Sequence, residues 1–473
     1  MKLTYDIKDK PKFGQLIVFA FQQLLAILAA TIAVPSIVGN GMSQSAALFG
    51  AGVGTIVYLL FTKFKSPVFL GSSFAFIGSM FAAFAGAASA QAGMAGIILG
   101  AIFAGLVYVV IAIGVNIAGV KWIDKLMPAV VIGPTVSIIG LSLAGNAIGD
   151  LTTGKVLVPV VNQVIQDGQI VEETTMVSAA NPYIAFLCGM VTLFVVMICS
   201  VFGKKMAKLI PFIIGILAGY VVAAVFTVIG IKTNNVSLQI IDFSVFSDMK
   251  LFEVPDFTFL MAAKGLSAIN AKYVATVAVA YVPVAFVVFA EHIADHKNLS
   301  SVVNHELLED PGLHRTLLGD GVGSMVGALF GGCPNTTYGE SVGCVAITGN
   351  ASIVTILATA VMAIVISFFG PFVTFLSTIP NCVMGGVCIT LYGFIAVSGL
   401  KMIQKVDLDQ NKNLFVVAVI LICGIGGLTL SFGAVTLTEV ACALILGIIA
   451  NVILARKKDE AAVEEAAVEK TAE

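Results

Sequence analysis

Residues 66–120 read SPVFLGSSFAFIGSMFAAFAGAASAQAGMAGIILGAIFAGLVYVVIAIGVNIAGV and contain no Asp, Glu, Lys or Arg. A second stretch without these four residue types covers residues 341–400. A helix needs about 20 apolar residues to cross a bilayer, so each stretch must contain two or more membrane-spanning segments. The sequence therefore predicts an all-α polytopic membrane protein.

The composition of the whole chain supports that prediction. Of the 473 residues, 59% are hydrophobic and 11% are charged, and the mean hydropathy is +1.04. About a quarter of the residues of a soluble domain are charged, so this class is excluded. The net charge of -2 indicates no nucleic-acid partner. The eight cysteines lie mostly in apolar runs without metal-like spacing, and we interpret them as small hydrophobic residues.

Glycine is unusually frequent, with 47 residues. Small residues let the backbones of membrane helices approach closely. We predict such packing faces at Gly323 with Gly327 and at Gly215 with Gly219.

Charges, prolines and polar clusters divide the chain into fourteen candidate spans. The first apolar run is longer than a signal-peptide core and lacks a cleavage pattern, so we expect it to remain in the mature protein. The candidate spans are 13–34, 44–62, 67–85, 93–117, 127–147, 182–202, 209–230, 273–296, 315–331, 334–350, 352–376, 382–400, 412–431 and 435–455.

The basic residues of the short loops predict the orientation. They precede span 1 and follow spans 2, 4, 6, 8, 12 and 14, so they share one side, which is cytoplasmic by the positive-inside rule. Both termini are then cytoplasmic. The polar segments 148–181 and 231–272 are predicted to be external, and the alternation at Val156-Leu157-Val158 permits short strands.

Fourteen spans divide into two repeats of seven, and an odd-numbered repeat must be inverted relative to its copy. The third span of each half is interrupted by proline and small polar residues, at Ser66–Phe76 and at Cys333–Glu340. Interrupted helices at equivalent places in two halves are typical of a transporter site. The alternative is a kinked helix that binds no ligand.

Two acidic residues lie where lipid is expected: Glu291 ends the apolar run 274–290, and Glu340 follows the second interruption. An intramembrane carboxylate costs about 2.5–3.5 kcal/mol on insertion scales, which makes each a functional-site hypothesis. Neither has a Lys or Arg within a helical turn. This favours exchange of a proton or ligand over a static ion pair. The alternative is that each carboxylate only caps a half-helix.

Further titratable residues follow Glu291, namely His292, Asp295 and His296. Glu291 and Asp295 are four residues apart and share a helix face, where they can share a proton. His292 and His296 have the same spacing, but the local sequence EHIADH differs from the HExxH of zinc hydrolases. The sequence therefore predicts no metal site.

The starts of the two half-helices are predicted to supply hydrogen-bond donors, because the first N–H groups of a helix have no intrahelical acceptor. Glu291 and Glu340 supply acceptors. A planar ligand with alternating C=O and N–H groups would satisfy both sets, whereas two carboxylates without an arginine disfavour an anion. The predicted donors are the N–H groups of Phe74, Ala75, Tyr338, Gly339 and Glu340, and the predicted stacking faces are Phe74, Tyr338 and Tyr392.

Five motifs together carry a resemblance to a known family over nearly the whole chain. With them the chain resembles the nucleobase-ascorbate transporter family, also called nucleobase:cation symporter type 2, and its bacterial uracil permease branch. The motifs are Gly71–Phe76, Phe289–Ile293, Asp310–Arg315, Pro334–Glu340, and Met384–Val387 with Leu391–Gly393.

The resemblance implies a fold and a mode of movement. It implies fourteen spans as 7+7 inverted repeats, with spans 3 and 10 each a short strand plus a half-helix, in a homodimer that moves like an elevator. The implied parts are an N-terminal segment at 1–12, a core domain at 13–126 and 273–381, a gate domain at 127–272 and 382–455, and a charged cytoplasmic tail at 456–473.

The resemblance also implies a function, import of uracil with a proton across the cytoplasmic membrane, with no cofactor and no enzymatic step. It places uracil between Glu291 and Glu340. The backbone N–H groups of Phe74 and Gly339 would donate to its carbonyls, and Tyr338 and Tyr392 would line the pocket. The residues predicted to couple transport to a proton, from their place in the apolar run and their helical spacing, are Glu291, Asp295, His292 and His296.

The chain departs from its expected branch at Asp295. Uracil permeases often have histidine there, whereas purine-type members often have aspartate. In contrast, purine-type members usually carry Gln-Asn where this chain has Glu340-Ser341. A carrier of purines, ascorbate or an inorganic anion therefore remains an alternative, as does a polytopic membrane enzyme or receptor.

Overall fold

The computed structural model describes residues 3–119, 128–166, 169–204, 206–432 and 435–454. In this part of the chain, eight helices are long and apolar enough to cross a membrane: Phe13–Val38, Gln44–Phe61, Ala90–Ala118, Ala129–Asp150, Pro182–Phe202, Pro211–Lys232, Ala271–Val303 and Asn381–Ile403. Four shorter apolar helices are Phe74–Ala85, Ile353–Ile366, Asn411–Ile425 and Glu439–Leu454. Each of these helices overlaps a predicted run, and the count of fourteen spans remains a prediction.

Further helices and three strand pairs complete the described fold. Ala129–Asp150 consists of Ala129–Ser142 and Ala144–Asp150. The remaining α-helices are Met206–Leu209, Thr258–Ala263, Leu313–Gly331, Gly339–Thr348 and Gly370–Thr378. The strand pairs are Leu70–Ser72 with Asn335–Thr337, Leu157–Gln166 with Gln169–Ser178, and Leu430–Phe432 with Val435–Leu437.

One group of helices packs around Leu313–Gly331, which lies against Gln44–Phe61 and Ala90–Ala118. Glycine makes the close approach possible, because a Cβ on Gly50 would overlap the Gly327 carbonyl and a Cβ on Gly54 would lie 2.8 Å from the Gly323 carbonyl. The predicted packing face at Gly323 and Gly327 is confirmed.

A second group of helices packs around Asn381–Ile403, which lies against Ala129–Ser142 and Pro182–Phe202. Pro211–Lys232 packs on Pro182–Phe202 through Gly215 and Gly219, where an added Cβ would overlap Val196 and Thr192. This confirms the second predicted glycine face.

The outer surface of Ala90–Ala118 is apolar. Leu106, Val110, Ile113 and Ile117 are exposed and recur every three or four residues, so they form one stripe along the helix. Most of the small residues of the helix are buried, and Gly100, Ala101, Ala104 and Ala112 lie on the side opposite the stripe. A helix with an exposed apolar stripe and a buried small-residue face suits a lipid environment.

The two short strands Leu70–Ser72 and Asn335–Thr337 pair antiparallel, with Gly71 opposite Thr336. Their backbone groups therefore satisfy one another inside the apolar protein, as non-helical backbone at membrane depth requires. Each strand leads directly into a helix, Phe74–Ala85 in one case and Gly339–Thr348 in the other. We call these the Phe74 half-helix and the Glu340 half-helix; the expected strand plus half-helix is found in both halves.

The prediction of one continuous span at 352–376 is wrong, because the structure has two helices there, Ile353–Ile366 and Gly370–Thr378. Pro371 occupies the first turn of the second helix, where its missing N–H is tolerated. The alternation at 156–158 begins a longer hairpin, in which Leu157–Gln166 pairs with Gln169–Ser178. The predicted charged tail at 456–473 lies outside the described residues.

Candidate functional site

A cavity of about 380 Å³ lies where the two half-helices begin. Pockets for small molecules have volumes of about 300–1,000 Å³. The lining residues are Ser73, Phe74, Ala75, Val136, Ile139, Phe212, Glu291, Ala294, Asp295, Asn298, Thr336, Thr337, Tyr338, Gly339, Glu340, Leu391, Phe394, Ile395, Ser398 and Met402.

One wall of the cavity is acidic. Glu291, Asp295 and Asn298 project from Ala271–Val303, which we call the Glu291 helix, at positions i, i+4 and i+7 of one face. Glu340 lies in the first turn of its half-helix. No Lys or Arg is among the described residues that line the cavity. The structure thus brings the two predicted carboxylates, and Asp295, to one ligand-sized space.

The opposite wall is mostly apolar and comes from the second helix group. Val136 and Ile139 come from Ala129–Ser142, and Phe212 comes from Pro211–Lys232. The rings of Phe212 and Phe394 meet edge to face, with centroids 6.2 Å apart. A ligand held by the acidic wall would therefore face apolar and aromatic surface on its other side.

Asp295 is held in place by Thr337, whose hydroxyl donates to Asp295 Oδ2 at 3.0 Å. Thr337 is the last residue of the paired strand before the Glu340 half-helix. The hydrogen bond therefore ties the Glu291 helix to the strand crossing at the cavity.

The predicted aromatic residues occupy different places. Phe74 and Tyr338 line the cavity, and the Tyr338 hydroxyl donates to the Ser72 carbonyl at 2.9 Å. The prediction of the Tyr338 backbone N–H as a donor to the ligand is wrong, because this N–H donates to the Phe69 carbonyl at 3.2 Å. Tyr392 is buried behind Phe74, with ring centroids 6.0 Å apart and the planes nearly perpendicular. Tyr392 thus supports Phe74 and does not itself line the cavity.

The start of the Glu340 half-helix is also anchored from behind. The Ser341 hydroxyl accepts hydrogen bonds from the Gln23 side-chain amide and from the Phe69 backbone N–H, the latter at 3.0 Å. Gln23 belongs to Phe13–Val38. Glu340 is therefore positioned by its immediate neighbour, which is buried and bonded on two sides.

His292 and His296 face away from the cavity and are buried, with stacked rings 4.1 Å apart. His292 Nδ1 lies 2.7 Å from Asp320 Oδ2, and its Nε2 lies 3.0 Å from Thr316 Oγ1. His296 Nε2 lies 2.7 Å from the Tyr58 hydroxyl. The two histidines thus join the Glu291 helix to its neighbours Leu313–Gly331 and Gln44–Phe61.

Asp320 is a residue that the sequence analysis missed. It lies inside the predicted span 315–331 and is fully buried, so Glu291 and Glu340 are not the only acidic residues in apolar segments. Its position in an apolar run was the available signal.

The motif Asp310–Arg315 contributes no residue to the cavity lining. Lys65 Nζ lies 2.6 Å from Asp310 Oδ1, and both side chains are about half exposed. The hydrogen bond from Lys65 holds the pKa of the Asp310 carboxyl below its ordinary value. Because the pair is solvated, we expect it to add little to stability.

Gly71→Ala is expected to destabilise the strand crossing. A Cβ at this position would overlap the Tyr338 ring. Overpacking of this kind typically costs about 1–3 kcal/mol. The measurement is thermal unfolding of the purified variant in detergent. Gly343→Ala is the matched control, because a Cβ at Gly343 meets no atom within 4 Å; equal stability of the two variants would contradict the expectation.

Comparison with known proteins decides the family. The family model described as "Permease family" matches residues 14–432. The chain belongs to the nucleobase-ascorbate transporter family. It is therefore a transporter and not an enzyme. With its apolar helices, this makes it an integral membrane protein.

Two relatives within the nucleobase-ascorbate transporter family match over nearly their full length. The uracil permease of Bacillus caldolyticus is 38% identical over 456 residues, which is 96% of this chain and 95% of the relative. The uracil permease of Bacillus subtilis is 36% identical over 465 residues, which is 98% of this chain and 97% of the relative.

A solved structure shares the fold of the chain. The transmembrane domain of the cyanobacterial bicarbonate transporter BicA aligns with a TM-score of 0.62 at 16% identity. The alignment covers 94% of this chain and all of that domain. At this identity the similarity concerns the fold alone.

Proposed function

We propose that the protein imports uracil together with a proton across the cytoplasmic membrane. The observation that carries the proposal is one cavity that both Glu291 and Glu340 line, at the place where the two half-helices begin. The relatives named uracil permeases, aligned over nearly the whole chain, support the choice of uracil.

In the proposed binding mode, the uracil ring lies between Glu291 and Glu340. The two carboxylates accept from ring N–H groups, and the backbone N–H groups of Phe74 and Gly339 donate to the ring carbonyls. The start of a helix favours such contacts, because its first N–H groups lack intrahelical acceptors. The aromatic and apolar wall that includes Phe212 would cover the other side of the ring.

Proton coupling is assigned to Glu291, with Asp295 on the same helix face as a second carboxylate. Both line the cavity, where the described residues supply no cation to balance them. Protonation of Glu291 would remove a buried charge and so lower the barrier for movement of the loaded site. His292 and His296, behind the cavity, would keep this helix in register while the proton moves.

The proposed movement is of an elevator type. The first helix group would form the core domain that carries the half-helices, and the second group would form the gate domain. The proposal rests on the packing of the helices into these two groups and on the cavity between them. A homodimer with both termini cytoplasmic completes the proposed arrangement.

A purine such as xanthine or urate is the second candidate substrate. The feature that favours it is Asp295 in the cavity wall, because purine-type members of the family often have aspartate at this position. Glu340 favours uracil, because its carboxylate can accept from the ring N–H groups.

The test is uptake of labelled uracil into proteoliposomes that carry the purified protein and an inward proton gradient. We expect accumulation that collapses with a protonophore and that unlabelled uracil inhibits, whereas xanthine, urate and ascorbate do not. Protein-free liposomes are the control. Inhibition by purines would move the substrate to the second candidate, and accumulation insensitive to the protonophore would refute proton coupling.

A further inference from the structure

Residues 3–10 form a segment with a turn at Ile7 and Lys8, and the segment docks on the loop after the Glu340 half-helix; we call it the N-terminal strap. Tyr5 and Asn350 form a parallel bridge. The backbone hydrogen bonds are Thr4 N to Gly349 O at 2.7 Å, Tyr5 N to Gly349 O at 3.2 Å, Ala351 N to Tyr5 O at 2.9 Å and Ile353 N to Ile7 O at 3.1 Å.

The side chains of the strap alternate between the protein and solvent. Leu3, Tyr5 and Ile7 are partly buried, while the residues between them are exposed. Leu3 and Ile7 pack on an apolar cluster shared by both carboxylate-bearing helices. The cluster includes Val342 and Val345 of the Glu340 half-helix and Leu299 and Val303 of the Glu291 helix.

Two further hydrogen bonds fix the course of the strap. The Ser352 hydroxyl donates to the Asp9 carbonyl at 2.6 Å, and the Tyr5 hydroxyl donates to Gln15 Oε1 at 2.7 Å. The chain then enters Phe13–Val38, the helix whose Gln23 bonds to Ser341. Residues 3–23 therefore hold the Glu340 half-helix at both of its ends.

The Glu340 half-helix needs such support. It has ten residues, follows a three-residue strand and ends at Gly349, whose φ of +65° begins a sharp turn. A helix this short gains its stability from tertiary contacts. A shift at its far end would move Glu340, and a misplacement of about 1 Å can change function about 100-fold.

We propose that the N-terminal strap is a positioning element of the substrate site. By holding the far end of the Glu340 half-helix, it sets the position of the Glu340 carboxylate at the cavity. The inference rests on the proposed function, in which Glu340 binds uracil.

The test compares the wild type with two variants, deletion of residues 2–8 and Ile7→Asp, which places a charge against the apolar cluster. Lys8→Ala is the control, because Lys8 is exposed. The readouts are the Kd of purified protein for labelled uracil and the hydrogen exchange of residues 342–353. We expect faster exchange and a Kd raised about tenfold in both variants, with no change in the control.

Ile7→Asp leaves every lysine of the strap in place, whereas the deletion also removes Lys8. If the deletion variant does not fold, Ile7→Asp alone tests whether the strap positions Glu340. A folded variant with faster exchange but wild-type Kd would overturn the positioning role, as would unchanged exchange. A wild type that binds no uracil would refute the proposed function and this inference with it. Wild-type binding with unaltered affinity in the variants would refute the inference alone.

Discussion

Glu340→Gln is expected to weaken uracil binding about 100-fold while leaving the fold intact. In the proposed mode the carboxylate accepts from ring N–H groups, and a charge-assisted hydrogen bond contributes about 1.5–3 kcal/mol. Glutamine can present an NH₂ group to these donors, which would leave buried donors unpaired. A change of 1.4 kcal/mol is about tenfold in Kd. Loss of the hydrogen bond to the carboxylate, together with the unpaired donors, therefore accounts for the expected 100-fold change.

The measurement is equilibrium binding of labelled uracil to the purified variant, together with its thermal unfolding temperature. Glu309→Gln makes the same chemical change at an exposed carboxylate and serves as control. Normal affinity in Glu340→Gln would show that the carboxylate does not anchor the ring. A lost fold in this variant would point to a structural capping role.

Glu291→Gln is expected to abolish accumulation driven by a pH gradient, while exchange of labelled for unlabelled uracil across the membrane continues. Glutamine imitates the protonated carboxyl, so the loaded site still moves but carries no proton. With one proton per substrate, a gradient of one pH unit supports about tenfold accumulation, because one unit is worth about 1.4 kcal/mol. The variant should show none.

The measurement uses proteoliposomes with and without an inward proton gradient. Asp295→Asn is the matched comparison, because Asp295 lines the same wall one helical turn away. Wild-type accumulation in Glu291→Gln would refute its proton role. If Asp295→Asn alone lost accumulation, the coupling proton would be assigned to Asp295.

The half-helices and the carboxylates of Glu291 and Glu340 were predictable, because in a membrane segment a short local pattern is enough to identify an unusual residue. Proline and small polar residues inside an apolar run, or a glutamate there, are costly unless the fold uses them, so Glu291 and Glu340 could be singled out. The structure then brings both to one cavity. Asp320 carries the same signal, but it lies among glycines that the sequence analysis interpreted for helix packing alone.

Whether Tyr392 reaches the cavity depends on which face of its helix it occupies, and residue type alone does not determine that. Leu391, Ile395, Ser398 and Met402 recur at helical spacing and line the cavity. Tyr392 is rotated by about 100° from Leu391 and points elsewhere. The sequence analysis therefore assigned a binding role to Tyr392 because it belongs to a family motif, whereas the helix geometry directs its neighbours toward the cavity.

The N-terminal strap shows a different limit. The alternation of Leu3, Tyr5 and Ile7 is a period-two signal, readable as a half-buried extended segment. Its partner, the loop at 349–353, lies more than 300 positions along the chain. No local sequence pattern identifies a contact between positions so far apart. The contact becomes visible only in the folded structure.

The docked strap also bears on how the protein is best produced and labelled. A purification tag or fluorescent protein fused ahead of Leu3 would adjoin a segment that is hydrogen-bonded into the fold and contacts the Glu340 half-helix through Ile7 and Leu3. A fusion after residue 454, beyond the last described helix, leaves the amino terminus of the strap unmodified. For transport assays we therefore favour a carboxyl-terminal fusion. A dye attached near the amino terminus would instead report movement of the Glu340 half-helix.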